Sequence, residues 1–296
     1  MYNNNVTNKI VNYEDVYNNI KREAIKYLTE NNIKSMVLGI SGGIDSTLVA
    51  AIARQISDET GIMFIGRSLP IIPSDYYNKK KEMFGFEKND TAIKVGEVFC
   101  DDFKVEDLSG AFDFIWMDLG GNHSEKQKYK IRRGNVMARL RMIKLYDLSH
   151  RTDGLVLSTD NLTEFLLGFW TLHGDVGDYG MIQELWKTEV YKLADWVSRN
   201  VYPVGSKAFL AIQESIAKKP TDGLGVSDGD LSQLGAPTYK EVDTLLKRYI
   251  NYIDRTITLD EKLWIELKNH PVIKRHLAST FKRKNPLNIK RNILLK

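Results

Sequence analysis

Cysteine is almost absent: Cys100 stands alone in 296 residues. No intramolecular disulfide can form, so packing has to hold the fold. A small, partly buried side chain with no chemical task is the expectation for Cys100. Proline is scarce as well, at seven residues, and no stretch rich in Pro, Gly or Ser marks a linker. No internal repeat is visible. Nowhere do about 18 apolar residues run together, so no membrane span is expected. The start, MYNNNVTNKIVNYED, is polar and rich in Asn and lacks the apolar centre of a secretion signal. The expected setting is therefore cytoplasmic. A strong excess of charge is missing too: 42 Lys and Arg face 38 Asp and Glu, net +4. That balance suits small anions such as nucleotides and is too weak to argue for nucleic acid.

What is present is ordinary for a globular chain: 43 % hydrophobic and 27 % charged residues. The length fits one large domain or one with appendages. We expect a single unit over 1–296, with an N-terminal helix at about 13–31, an α/β core at about 35–200 and a helical, basic part at about 201–296. Val16, Ile20, Ala24, Tyr27 and Leu28 have helical spacing. Met36 to Ile40 is a short apolar run that ends in Ser41-Gly42-Gly43 and reads as a buried strand. Leu48, Val49, Ile52, Ala53 and Ile56 then share one helical face. Ile62 to Ile65 and Leu155 to Leu157 read as further strands, and Ala92 to Val95 as another. Helices are expected near 75–84 and over Gln127 to Leu148. The pattern after 161 is chiefly helical, and the segment from about 268 reads as basic and irregular. Strands alternating with helices indicate an α/β fold with a mainly parallel sheet flanked by helices.

The most informative residues are Ser41-Gly42-Gly43-Ile44-Asp45-Ser46, between a predicted strand and a predicted helix. Two glycines allow a tight turn and close approach of a ligand. Unpaired N–H groups at the helix start, with the helix dipole, favour an anion there. Ser41 and Ser46 add hydroxyls. The loop lacks the lysine of the usual triphosphatase motif and is no G-x-G-x-x-G fingerprint. In place of lysine stands Asp45. A carboxylate in a phosphate cradle repels its ligand unless a cation lies between, and Mg²⁺ fills that need. The rival reading is a helix cap after a common turn.

A parallel sheet binds ligands at the carboxyl ends of its strands. The run Leu155–Leu157 supplies a second such end, followed by Ser158-Thr159-Asp160-Asn161-Leu162-Thr163-Glu164. Taken alone, these read best as capping residues, Asp160 or Asn161 as N-cap and Glu164 as a first-turn acid.

The loop at 41–46 resembles the PP-loop of the N-type ATP pyrophosphatases. That superfamily includes NAD synthetase and the enzymes that make GMP, asparagine and tRNA lysidine. The resemblance implies a Rossmann-like, adenine nucleotide alpha hydrolase-like sheet and cleavage of ATP between its α and β phosphates. The string from Ser158 through Gly168-Phe-Trp-Thr-Leu-His-Gly174-Asp-Val-Gly-Asp178 closely resembles the NAD synthetase signature and selects that family. By this resemblance Asp45 and Glu164 are metal ligands. Asp175 and Asp178 are acids near substrate, and Lys187 is an ATP-phosphate lysine. Thr159 contacts ATP.

Arg133-Gly134-Asn135-Val136-Met137-Ala138-Arg139-Leu140-Arg141-Met142 is similar to the family's Gly-Asn-x-x-Ala-Arg-x-Arg-Met helix, implying substrate contacts for Asn135 and Arg139. Arg67, in Arg67-Ser68-Leu69-Pro70, and Thr221, in Pro220-Thr221, resemble ATP-side positions. Lys282 resembles a terminal substrate lysine. Departures are visible: Leu172 stands where the family often has Lys, Phe281 where it has His, and Ser158 where it has Gly. The segment Asp175–Asp178 is one residue shorter. The resemblance implies ATP as co-substrate, Mg²⁺, deamido-NAD, ammonia and a homodimer. One cysteine and no additional large domain leave no glutaminase in the chain, so free ammonia is the expected nitrogen donor. The rivals are another PP-loop enzyme, tRNA-modifying or GMP synthetase-type, and a non-catalytic nucleotide binder. A basic tail over Lys274 to Lys296 for nucleic acid is weighed and set aside, because it has neither a series of interleaved aromatics nor a binding fold.

Overall fold

The computed structural model describes residues 11–72, 90–121, 126–218, 231 and 234–294. The helix expected near 75–84 and Thr221 lie outside them. In chain order the elements are α1 (Tyr13–Glu30), β1 (Ser35–Gly39), α2 (Ile44–Thr60), β2 (Met63–Ser68), α3 (Asp90–Phe99), β3 (Asp102–Val105), α4 (Ser109–Asp118), α5 (Gln127–Arg151), β4 (Gly154–Ser158), α6 (Leu162–Leu167), β5 (Tyr179–Gly180), α7 (Lys187–Asn200), α8 (Lys207–Ala217), α9 (Tyr239–Ile253), α10 (Glu261–Asn269), α11 (Pro271–Ala278), α12 (Thr280–Arg283) and α13 (Arg291–Leu294).

The strands form one parallel sheet in the order β3-β2-β1-β4-β5. Alternation along the strands explains why both faces are covered. Met36, Leu38 and Phe64 join the core made with α1, α2, α3, α7 and α8. Val37 and Ile65 point the other way, against Leu145 and Leu148 of α5. A separate apolar cluster ties α6 to α9, α10 and α11 through Leu166, Val242, Leu267 and Val272.

Two expectations are corrected. Ala92 to Val95 is not a strand but the middle of α3. Ala92, Val95 and Phe99 are buried at helical intervals, and the apolar run was too short to separate the two periods. The third strand is Asp102–Val105. Among the described residues it pairs on one side only, with β2, and it carries no apolar run because an edge strand has less to bury. The segment from about 268 is likewise not irregular. His270 accepts from the Val272 N–H at 3.2 Å, Pro271 opens α11, and α12 and α13 follow. Three of its basic residues, Arg275, Lys282 and Arg283, are spent on backbone carbonyls. Arg275 donates to the Leu167 carbonyl at 2.9 Å and Arg283 to the Leu166 carbonyl at 2.6 Å. These close the C-terminal end of α6, whose carbonyls lack helical partners.

The chain order places the site. From β1 the chain moves outward through β2 and β3, then returns to the other side of β1 as β4. Between β1 and β4 the direction of winding reverses. Ligands of open parallel sheets bind outside the carboxyl ends of the strands at such a reversal. The loop after β1 is 40–43, and the loop after β4 is 159–161.

Candidate active site

The loop after β1 turns through Gly42, at φ 71°, a left-handed conformation that disfavours a side chain. Gly43 is the N-cap of α2 and has no side-chain cap bond. The first amides of α2 are therefore presented without a side-chain acceptor, as an anion site requires. Ser46 does not itself line the cavity at these strand ends. It is buried, 2.9 Å from the Ser41 hydroxyl, and donates to the Gly43 carbonyl at 3.1 Å. It braces the turn from beneath.

Opposite, Asn161 caps α6 by accepting from the Glu164 N–H at 3.0 Å. Its Nδ2 donates to Asp45 Oδ1 at 2.8 Å. The capping reading of Asn161 is thus correct, and the same side chain also joins the two strand ends. The Lys187 Nζ lies 2.5 Å from Asp45 Oδ2 and 2.8 Å from Glu164 Oε1. Its side chain is 3 % exposed, which excludes a solvated surface lysine. Burial by itself would strip its proton. The Asp45 and Glu164 carboxylates outweigh that and hold its pKa well above the ordinary lysine value.

The start of α7 is itself anchored. The Lys187 N–H donates to Thr163 Oγ1 at 2.9 Å, and Thr163 donates to Asp243 at 2.6 Å. Asp243, 2 % exposed, also accepts from the Thr188 N–H at 3.0 Å and the Thr188 hydroxyl at 2.7 Å. Asp243→Ala strands these donors. We expect it to lower the free energy of unfolding by about 3 kcal/mol, since hydrogen bonds to charged groups are worth about 1.5–3 kcal/mol each and do not add fully. Urea denaturation measures this, and an unchanged midpoint would contradict it.

These elements line a cavity of about 550 Å³, a size suited to a nucleotide-sized ligand. Of the sequence-predicted residues, Ser41, Gly43, Ile44, Asp45, Arg67, Thr159, Glu164, Asp175 and Lys187 line it. Arg67 does so while paired to Asp102 at 2.6 Å and Glu106 at 3.0 Å. The structure does not bring Asn135, Arg139, Asp178 and Lys282 to the cavity wall. Asn135 accepts from the Thr171 hydroxyl at 2.8 Å, and Arg139 donates to the Leu172 carbonyl at 3.0 Å. Lys282 donates to the Gly168 carbonyl at 2.7 Å and to that of Trp170. All three fasten the loop that carries Asp175. Asp178 accepts from the Val156 N–H at 2.9 Å and the Tyr146 hydroxyl at 3.0 Å, joining β4 to β5. Gly177 lets this loop lie on β4: a Cβ there would stand 2.5 Å from the Ser158 nitrogen.

Asp160 was read only as a possible cap. Burial lifts its carboxyl well above the usual range, and the nearby acids Glu164, Asp175 and Asp45 raise it further. Burial likewise raises Asp175 against the opposing hydrogen bond from the Thr171 N–H. Two carboxylates, Asp45 and Glu164, share the single charge of Lys187, and a divalent cation would relieve that excess. The donor set fits Mg²⁺: carboxylate oxygens from two strand ends converge on one cationic point. Among the described residues no group of three or more His, Cys, Asp and Glu forms a cage. Mg²⁺ is commonly held by one or two carboxylates, with phosphate and water completing its shell. Cys100 is elsewhere, its thiol pushed up to about 12 chiefly by burial, so it supplies no thiolate.

A phosphate-type loop with an acid in place of lysine, at the reversal of a five-stranded parallel sheet, defines a nucleotide-handling α/β protein of the PP-loop class. The comparisons narrow the class. The model of the NAD synthase family matches residues 16–286, and the chain belongs to that family. It is 33 % identical over 252 residues to the NH3-dependent NAD+ synthetase of Mycoplasmopsis pulmonis, covering 84 % of this chain and 82 % of that one. It is 32 % identical over 229 residues to the enzyme of the same name from Helicobacter hepaticus, covering 76 % and 75 %. Two solved structures share the fold. NMN synthetase from Francisella tularensis has a TM-score of 0.69 at 20 % identity, covering 95 % of this chain and all of that one. NH3-dependent NAD synthetase from Campylobacter jejuni has a TM-score of 0.63 at 23 % identity, with the same coverage.

Proposed function

We propose that the chain is a ligase that amidates deamido-NAD with ammonia at the expense of ATP. The observation that carries this reading is the joint Asp45–Lys187–Glu164 at the mouth of an uncapped helix, inside a member of the NAD synthase family. A carboxylate oxygen of deamido-NAD attacks the α-phosphorus of ATP. The bond to the bridging oxygen breaks and pyrophosphate leaves. Ammonia then attacks the acyl carbon, AMP departs with the carboxyl oxygen, and the nitrogen gives up a proton. Positioning and charge neutralisation do this work without a protein nucleophile.

The amides of Gly43, Ile44 and Asp45 and the hydroxyl of Ser41 cradle the phosphates. Lys187 balances the charge of the leaving pyrophosphate. Thr159, Arg67 and Thr221 complete the ATP side. Asp45 and Glu164 would hold Mg²⁺, which when bound screens and polarises the phosphate oxygens. Asp175 faces the reacting end of the substrate. Asn135, Arg139, Asp178 and Lys282 frame the substrate-side loop and strand that position it.

The chain works as one unit over 1–296 in this reading. Exposed Phe114 and Met117 on α4, and Ile143 on α5, support a homodimer through these helices; sedimentation at micromolar concentration tests it. No helix among the described residues is long and apolar enough to cross a membrane. ATP and deamido-NAD are intracellular compounds, which supports a cytoplasmic location.

The deciding assay supplies ATP, Mg²⁺, deamido-NAD and ammonium. We expect NAD, AMP and pyrophosphate in equal amounts. Adenylylation of RNA instead, or amidation of the mononucleotide acid in preference to the dinucleotide, would overturn the substrate assignment.

A further inference from the structure

The helix α5 presents two arginines two positions apart, Arg139 and Arg141. At about 100° per residue they point to nearly opposite sides. Only one of them can face the cavity, and the structure selects Arg141. Ala138, Arg141, Met142 and Leu145, at helical intervals, all line the cavity, and Arg139 does not. Arg139 is occupied behind the wall, on the Leu172 carbonyl.

The Arg141 side chain is held by one bond. Its Nε donates to the Leu69 carbonyl at 2.9 Å. That bond orients the plane of the guanidinium. Its two terminal nitrogens make no hydrogen bond and no ion pair with any described residue. The other two cations named above are engaged: Lys187 by Asp45 and Glu164, and Arg67 by Asp102 and Glu106. The acid that acts on Arg141 is Asp175, across the cavity and not in contact. A half-buried, oriented fork with its donors unspent, opening on the cavity, is built for a planar or tetrahedral oxyanion. Its neighbours tell which one. Leu69 and Pro70 belong to the segment after β2, on the ATP side, and Asp175 to the substrate-side loop. Arg141 stands where the two sides meet.

We propose that Arg141 grips the α-phosphate of the nucleotide and the carboxylate that becomes joined to it, neutralising the anion as the mixed anhydride forms. This rests on the adenylylation reading above. Arg141 is then a catalytic residue. It acts on oxygens that stay with AMP, whereas Lys187 serves the pyrophosphate that leaves.

Two measurements test it. First, AMP and adenosine binding are compared by calorimetry in the unaltered protein and in Arg141→Gln, with Arg151→Gln, a surface ion-pair residue, as control. We expect AMP to bind about tenfold more weakly to Arg141→Gln and adenosine to be unaffected. This readout does not depend on which acid is the substrate. Equal AMP affinity in the two proteins overturns the proposal even if NAD is made. Second, pyrophosphate release is followed in a single turnover with ATP and deamido-NAD, without ammonia. Arg141→Gln is expected to slow it about 100-fold, as for loss of one donor to a developing oxyanion, with the KM for ATP raised by no more than the roughly tenfold expected for AMP. Arg141→Lys recovers a small part, because a point charge does not replace a fork. Methylguanidinium at millimolar concentration restores Arg141→Ala. A lowered melting temperature with no rescue would assign Arg141 a structural role and end the proposal. If the unaltered protein binds AMP as described but fails to use deamido-NAD, the substrate reading falls and the Arg141 assignment stands.

Discussion

Lys187→Met is expected to lower kcat about 1000-fold or more, the scale on which cations serving a transferring phosphoryl group act. It should also destabilise the protein. Lys187 is 3 % exposed between two carboxylates that are each 17 % exposed. Removing it leaves Asp45 and Glu164 facing each other, with Asp160 close by. Stripping one partner from a buried ion pair costs about 3–5 kcal/mol, and we expect about 3 kcal/mol because both acids keep some solvent contact. The variant carries its own control. If the two carboxylates form a cation site, millimolar Mg²⁺ should raise the melting temperature of Lys187→Met more than that of the unaltered protein, by linkage to binding. Activity near normal would remove Lys187 from the chemistry. An equal response of both proteins to Mg²⁺ would remove the cation site.

Asp45→Ala should be as damaging to turnover and much gentler on the fold. Here Lys187 keeps Glu164 at 2.8 Å, so one positive charge still meets one negative charge. The losses are the Asn161 hydrogen bond and a favourable acid in the first turn of α2, together about 1–2 kcal/mol. We expect a melting temperature a few degrees lower and a kcat reduced about 1000-fold. Asp45→Asn should preserve stability better, yet need at least about tenfold more Mg²⁺ for half-maximal rate, as one carboxylate ligand is gone. Retention of a tenth of normal turnover in Asp45→Ala would refute the metal assignment. Collapse of the fold would show that the joint is structural first.

The contrast between these variants could not be drawn from the sequence. The motifs at 41–46 and 158–164 are strand-end loops, each readable within a few residues of chain. Lys187 and Asp45 are 142 positions apart, and nothing local says that they touch. Asn161 shows the same limit. Its capping role follows from its place before a helix, but its bond to Asp45 requires β1 and β4 to be neighbours. The helical period of α5 separates Arg139 from Arg141, yet which side faces the cavity depended on how α5 lies across β1 and β4. Edge strand β3 escaped notice because it buries little, and α3 was misread because four apolar-rich residues fit either period.

The basic C-terminal segment teaches a related point. As composition it resembled a free cationic tail. In the fold, Arg275, Lys282 and Arg283 close the carbonyl end of the helix that bears Glu164 and the loop beyond it. Charge along a chain does not state whether it meets solvent, a ligand or the protein's own backbone.

The sequence by itself determined the α/β alternation, the turn after β1 with an acid where a lysine is usual, and the family. Each of these is set by short-range sterics, by helical or strand period, or by a contiguous string. The tertiary structure decided which charges neutralise one another, which arginine enters the cavity and which expected substrate residues hold a loop from behind. Buried charges must find partners among whatever the assembled sheet brings near, and that proximity exists only once the chain has folded.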